Sequence, residues 1–145
     1  MRKEILKTYL KLLVPVTTIL ILFYLGRLVG IFDFGNNQAN RLISIILFIL
    51  AASFSIAFPI LYRTWFANKI RNQNETFSNQ FERFEKNLII IAMISPYFIL
   101  FAILFNIPAF YFASVVLFGF YSVYYYYPSK KRIGFEKKIF RVRQD

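Results

Sequence analysis

Four long apolar runs organise this chain, and polar positions gather between and beyond them. The runs are Leu12 to Phe32, Leu42 to Tyr62, Leu88 to Phe105 and Ile107 to Tyr127. Each is close to the ~20 residues an α-helix needs to cross ~30 Å of hydrocarbon. Hydrocarbon offers no hydrogen bonds, so a spanning segment must satisfy its own backbone, as a helix does. A membrane β-barrel would instead show short segments of alternating polarity. The pattern predicts an all-α integral membrane protein, with four transmembrane helices in a compact up-down bundle. One domain covers residues 1–145, with spans at about 12–32, 42–62, 88–105 and 107–127. The basic start followed by a long apolar stretch, with no small-residue cleavage site, reads as an uncleaved first helix.

The intervals carry patterns of their own. Between runs three and four lie only Asn106, Ile107 and Pro108. Asparagine tolerates the left-handed conformation at a helix end and proline suits a helix start, so a tight hairpin is expected. Asp33 to Arg41 is rich in turn formers. In the 63–87 connection, Phe77, Phe81, Phe84 and Leu88 recur at i, i+4, i+7 and i+11, one face of a helix. Asn72 with Glu75 and Asn79 with Glu82 have capping-box-like spacing, and Glu82 with Lys86 forms an i,i+4 pair. An amphipathic helix leading into the third span is expected, its phenylalanine face laid on lipid or on a partner.

Composition strengthens the membrane reading and narrows the chemistry. The chain is 58% hydrophobic, above the roughly 45–50% of soluble domains. It has no cysteine and no histidine, which excludes disulfides, thiol redox chemistry, Cys/His metal sites and a histidine general base. Its seven acids (Glu4, Asp33, Glu75, Glu82, Glu85, Glu136 and Asp145) all lie outside the apolar runs. No catalytic carboxylate pair, nucleophile motif or phosphate-cradling loop is visible. Proton-coupled transport would ask for a titratable group inside a span. Neither an enzyme nor a cofactor or metal is expected.

Charge sets the orientation. Sixteen of the eighteen Lys/Arg residues fall in the N-terminal tail, the 63–87 connection and the tail at 128–145. Positive-inside bias places all three in the cytoplasm, which only an even number of spans allows. The net charge of +11 thus reflects topology, and no nucleic acid is expected. Short hairpins and a basic inner face suggest a bacterial inner membrane. Tyr9, Tyr62, Trp65 and Tyr124 to Tyr127 fall where amphipathic rings settle among headgroups. Lys130, Lys131, Arg132, Lys137, Lys138, Arg141 and Arg143 then offer contacts to anionic lipid, at ~1 kcal/mol each, or to a protein partner.

Few polar residues enter the spans. Arg27 is the one charge within a run, about five residues outward of its centre, or ~8 Å. It either snorkels outward or joins a polar cluster with Asp33, Ser44 and Asn106. Gly26 and Gly30 make a G-x-x-x-G. Ser44, Ala51 and Ser55 share one face, as do Ala92, Ser95, Ala102 and Asn106, and all suit close helix packing. Pro15, Pro59 and Pro96 are expected to kink their helices. The function expected is a non-catalytic accessory, scaffold or assembly subunit of a larger inner-membrane complex, with a protein partner or copies of itself. The alternatives are an oligomeric pore, holin-like or conducting small solutes or anions past Arg27, and a lipid-binding or membrane-shaping protein.

Overall fold

A computed structural model describes residues 1–30, 40–73 and 75–143. Within these residues seven α-helices run as α1 (Arg2–Leu28), α2 (Arg41–Ala52), α3 (Phe58–Ile70), α4 (Ser78–Ala92), α5 (Tyr97–Leu104), α6 (Ala109–Tyr125) and α7 (Lys130–Ile139). Among the described residues the only β-type pairing is an isolated bridge between Thr76 and Val142.

Proline shapes the long rods. Helices α2 and α3 form one rod, Arg41–Ile70, joined through a π-helical turn at Ser53–Ala57. Pro59 has no N–H for the carbonyl four residues back, and just before it the Phe58 N–H reaches five back, to Ser53. Helices α4 and α5 likewise form one rod, Ser78–Leu104, broken at Met93–Pro96. There the Ala92 carbonyl accepts from the Ser95 N–H at 3.2 Å, since Pro96 has none to give. Pro15 lies inside α1.

Among the described residues three helices are long and apolar enough to cross a membrane, or four if α6 and α7 count as one span bent by 76°. The charges of α7 leave the apolar share of that pair to α6, whose 17 residues reach ~26 Å. The α1 helix starts ten residues before its apolar run, α3 continues eight beyond its own and α4 starts ten before. Hydropathy marks which residues tolerate lipid; a helix ends where capping and turns stop it. Those extensions, with α7, build a head at one end of the molecule, where the start of α1, residues 128–143 and the described part of the 63–87 connection meet.

The α4–α5 rod is the centre of the bundle. Half of its most apolar eighteen residues are buried, against 28% in the α2–α3 rod and 17% in α1. Helices α2, α5 and α6 pack together, while α1 lies along α4 and α5. The four rods are therefore unequal: a three-rod core with α1 leaning on its central member. Two separate cores result. The head core gathers Ile5, Tyr9, Phe66, Phe81, Phe84, Leu88, Ile133 and Phe140, while the other holds Leu47, Ala51, Ile99, Ala102, Ile107 and Val115.

Candidate functional site

The chemistry in this chain gathers beneath α7. Pro128 ends the preceding segment, and the Ser129 hydroxyl accepts from the Arg132 N–H at 3.1 Å, capping the new helix. One turn in, the Arg132 side chain points back into the head. Its Nη2 donates to Glu85 Oε2 at 2.7 Å and its Nη1 to the Tyr126 carbonyl at 2.9 Å. One turn further, Glu136 Oε2 lies 3.1 Å from Arg63 Nη2, an ion pair whose N–H is not aligned on the oxygen. Two guanidinium groups and two carboxylates thus join α3, α4 and α7 with no net charge.

These carboxylates are out of water. Glu85 is fully buried and Glu136 is 5% exposed. Glu85 Oε1 accepts no hydrogen bond among the described residues. Burial pushes the Glu85 carboxyl above its ordinary range; Arg132 pulls it back, and the neighbouring Glu136 adds to the rise. Burial raises Glu136 as well, against Arg63 and Arg132. Beside them a ~70 Å³ cavity is lined by Arg63, Arg132 and Glu136 with Tyr121, Tyr125 and Tyr126. It has room for a few water molecules against these charges. Among the described residues no three acidic groups gather to hold a metal ion. What the arrangement does chemically is pin α7: each buried charge faces an opposite one, and removing either partner strands the other.

Aromatic packing completes the joint. Phe84 stacks on Phe66 at 4.1 Å and on Tyr62 at 5.5 Å, and meets the Phe140 edge at 5.2 Å. Thr76 Oγ1 donates to the Phe140 carbonyl at 2.7 Å, holding the far end of α7. The phenylalanine face of α4 therefore differs from expectation. Phe81 and Phe84 lie on neither lipid nor another protein but in this chain's own head, and Phe77 is exposed at the α4 N-cap. No side chain caps α4, so the asparagine capping boxes do not form. Glu82 and Lys86 do pair, at 2.7 Å.

The basic tail divides. Arg132 is spent inside the protein, a correction to its reading as a lipid or partner contact. Lys130, Lys131, Lys138, Arg141 and Arg143 are exposed, and Lys137 is half-buried. Of the expected outer polar cluster, Arg27 is exposed and Asp33 lies outside the described residues. Ser44 is buried with its hydroxyl turned back to the Asn40 carbonyl at 3.5 Å, within its own helix start. Asn106 makes the turn between α5 and α6 with φ 46°. Gly26 is buried within α1, but Gly30 stands beyond the helix end at φ 76° and ends it. It is a terminator rather than half of a packing pair. Ala51, Ser55, Ala92, Ser95 and Ala102 are all buried. Ser95 Oγ donates to the Ala51 carbonyl and Ser55 Oγ to the Phe118 carbonyl, both at 3.1 Å. Gly119 is a close contact that sequence reading missed, because a single glycine in an apolar run has no distinguishing spacing.

Comparison with known proteins adds no relative. No family model matches the chain, and no curated protein or solved structure resembles it significantly.

Proposed function

We propose that this chain is a small non-catalytic multi-pass protein of a bacterial inner membrane, with both termini cytoplasmic, serving as an accessory, scaffold or assembly subunit of a larger complex. The observation that carries the reading is the state of α1. It meets α4 and α5 along one narrow face, while Ile21, Leu22, Tyr24, Leu25 and Leu28 are 49–67% exposed. An apolar helix so loosely held suits a subunit that seats it against another protein's helices. The four-charge joint supports the non-catalytic part, since its carboxylates are committed to arginines that hold α7. Lys/Arg-rich segments meeting at the head suit the cytoplasmic side.

Purification in mild detergent from cells making the protein at native abundance tests this. One stable larger assembly is expected, and a lone monomer overturns the subunit reading. Orientation is checked separately. The chain has no cysteine, so single cysteines at Lys138 and within residues 33–41 can be probed with a membrane-impermeant thiol reagent added to intact and then to opened cells. The first is expected to react only after the membrane is opened.

A further inference from the structure

The outward face of α7 has no described partner, yet it is patterned. Phe135 is 62% and Ile139 45% exposed, one helical turn apart on one flank. Lys131 and Lys138 run beside them, and Lys130 lies further round. None of these three lysines has an acidic partner among the described residues. The adjoining face, about 110° round the helix and made by Ile133, Glu136 and Phe140, is buried in the head. So α7 is apolar on two sides, and only one of them is used within the chain.

Position decides what covers the second side. Tyr124, Tyr125 and Tyr127 are 86%, 47% and 45% exposed at the end of α6, where amphipathic rings mark headgroup depth. From there α7 leaves at 76° to α6. Ten residues make ~15 Å of helix, and at that angle α7 advances only about 4 Å along the α6 axis. The whole helix therefore stays at the level of the tyrosines, with its lysines beside its exposed rings.

Resting on the membrane reading above, we propose that α7 is an interfacial helix. Phe135 and Ile139 enter the headgroup boundary of the inner leaflet, while Lys131 and Lys138 bind the phosphates of anionic phospholipids. The exposed flank is thereby held by lipid and the adjoining buried face by Glu136, with Arg132 at the border between them.

Tryptophan fluorescence tests this, because Trp65 is the only tryptophan. In a Trp65→Phe background, Phe135→Trp is placed in the full chain, reconstituted into phosphatidylcholine vesicles with or without phosphatidylglycerol and with acyl chains brominated near the headgroup. Blue-shifted emission quenched by bromine is expected when phosphatidylglycerol is present, and much less quenching without it. Lys131→Gln and Lys138→Gln should each raise the phosphatidylglycerol needed for half-maximal quenching about fivefold. Water-like emission in every vesicle overturns the proposal. So does a blue shift without quenching, which means cover by protein, or quenching indifferent to lipid charge. Phe120→Trp, on the exposed face of α6, separates this result from the reading beneath it. If Phe120→Trp is quenched and Phe135→Trp is not, only the lipid role of α7 falls. If neither is quenched, the membrane reading falls too.

Discussion

The two ends of this bundle are packed by different means. The head is built from large rings and charges: Phe66, Phe81, Phe84 and Phe140 in contact, with Arg132 on Glu85 and Arg63 on Glu136. Along the rods the contacts are small. Ala51, Ser55, Ser95, Ala102, Gly119 and Ser122 let the helices approach, and hydroxyls bridge them: Ser95 to the Ala51 carbonyl, Ser122 to Ser55, each at 3.1 Å. Two solvents would produce this division. In water, burying rings releases ordered solvent and stabilises by ~25 cal/mol per Å². Between lipid tails that gain vanishes, and close approach with interhelical hydrogen bonds remains.

Removing a head charge should have the largest effect. Arg132→Ala leaves a fully buried Glu85 carboxylate without its donor, which costs about 3–5 kcal/mol. Hydrogen exchange should show the α7 amides losing protection while α5 and α6 keep theirs. Adding Glu85→Leu should restore most of the loss, and a double variant as weak as the single one would refute the pairing. The pH dependence follows from the same carboxylates. Glu85 and Glu136 titrate above the ordinary 4.5, so the folded head holds protons that the unfolded chain has released. Head stability should therefore be greatest near or below pH 4.5 and fall as pH rises through the raised values. Glu82, lowered by its hydrogen bond with Lys86, works in the opposite sense but lies near the surface. Glu85→Gln should flatten the decline, and an unchanged slope would mean the proton sits elsewhere.

Ring packing comes next. Phe84→Ala empties the space between Phe66, Tyr62 and Phe140, and core truncations of this kind cost about 3–5 kcal/mol. Denaturant titration followed at Trp65 should register most of it. An effect under 1 kcal/mol would mean the head is not a solvent-excluding core.

Sequence pattern reveals the rods more readily than the joint between them, for a physical reason. Solvation is a local property, so apolar runs locate α1, α2, α5 and α6 from neighbouring residues alone. Pairing is not local. Arg132 and Glu85 lie 47 residues apart, and no period links them. The phenylalanine repeat at Phe77, Phe81 and Phe84 marks a face without naming what covers it, and lipid and self-packing make the same pattern. Helix α7 did leave a signal. Pro128 and Ser129 mark a helix start, and Ile133, Glu136 and Phe140 follow at i+3 and i+7, one face with a carboxylate in it. Read as a basic tail, that face is hidden by the lysines around it.

Steric tests belong to the rods. A Cβ on Gly119 would lie 2.6 Å from Ile99 Cδ1 and 3.4 Å from the Pro96 backbone. Alanine asks only the tip of Ile99 to move, whereas Gly119→Val forces α5 and α6 apart at a cost of about 1–3 kcal/mol. Thermal unfolding in detergent should show the loss, and Ile99→Ala should recover part of it. The head should keep its exchange protection, since Gly119 lies about two helical turns from the Tyr126 carbonyl that Arg132 holds.

The smallest effects compare the regions most directly, because one kind of bond occurs in both. Ser95 Oγ donates to the Ala51 carbonyl at 3.1 Å between rods, and Thr76 Oγ1 to the Phe140 carbonyl at 2.7 Å in the head. Both hydroxyls are buried. Thr76→Val keeps the shape and leaves a buried carbonyl without its donor, which costs about 1–3 kcal/mol. Ser95→Ala removes a donor of the same type, yet interhelical bonds in lipid average only ~0.6 kcal/mol. The separated helix is not starved of partners there, since a serine hydroxyl can fall back on a carbonyl of its own helix one turn earlier. Measured in bicelles, Thr76→Val should therefore weaken the fold more than Ser95→Ala. If Ser95→Ala proves the more damaging, the interior around α5 behaves as a water-excluding protein core, and the contrast between the two ends would have to be explained without lipid.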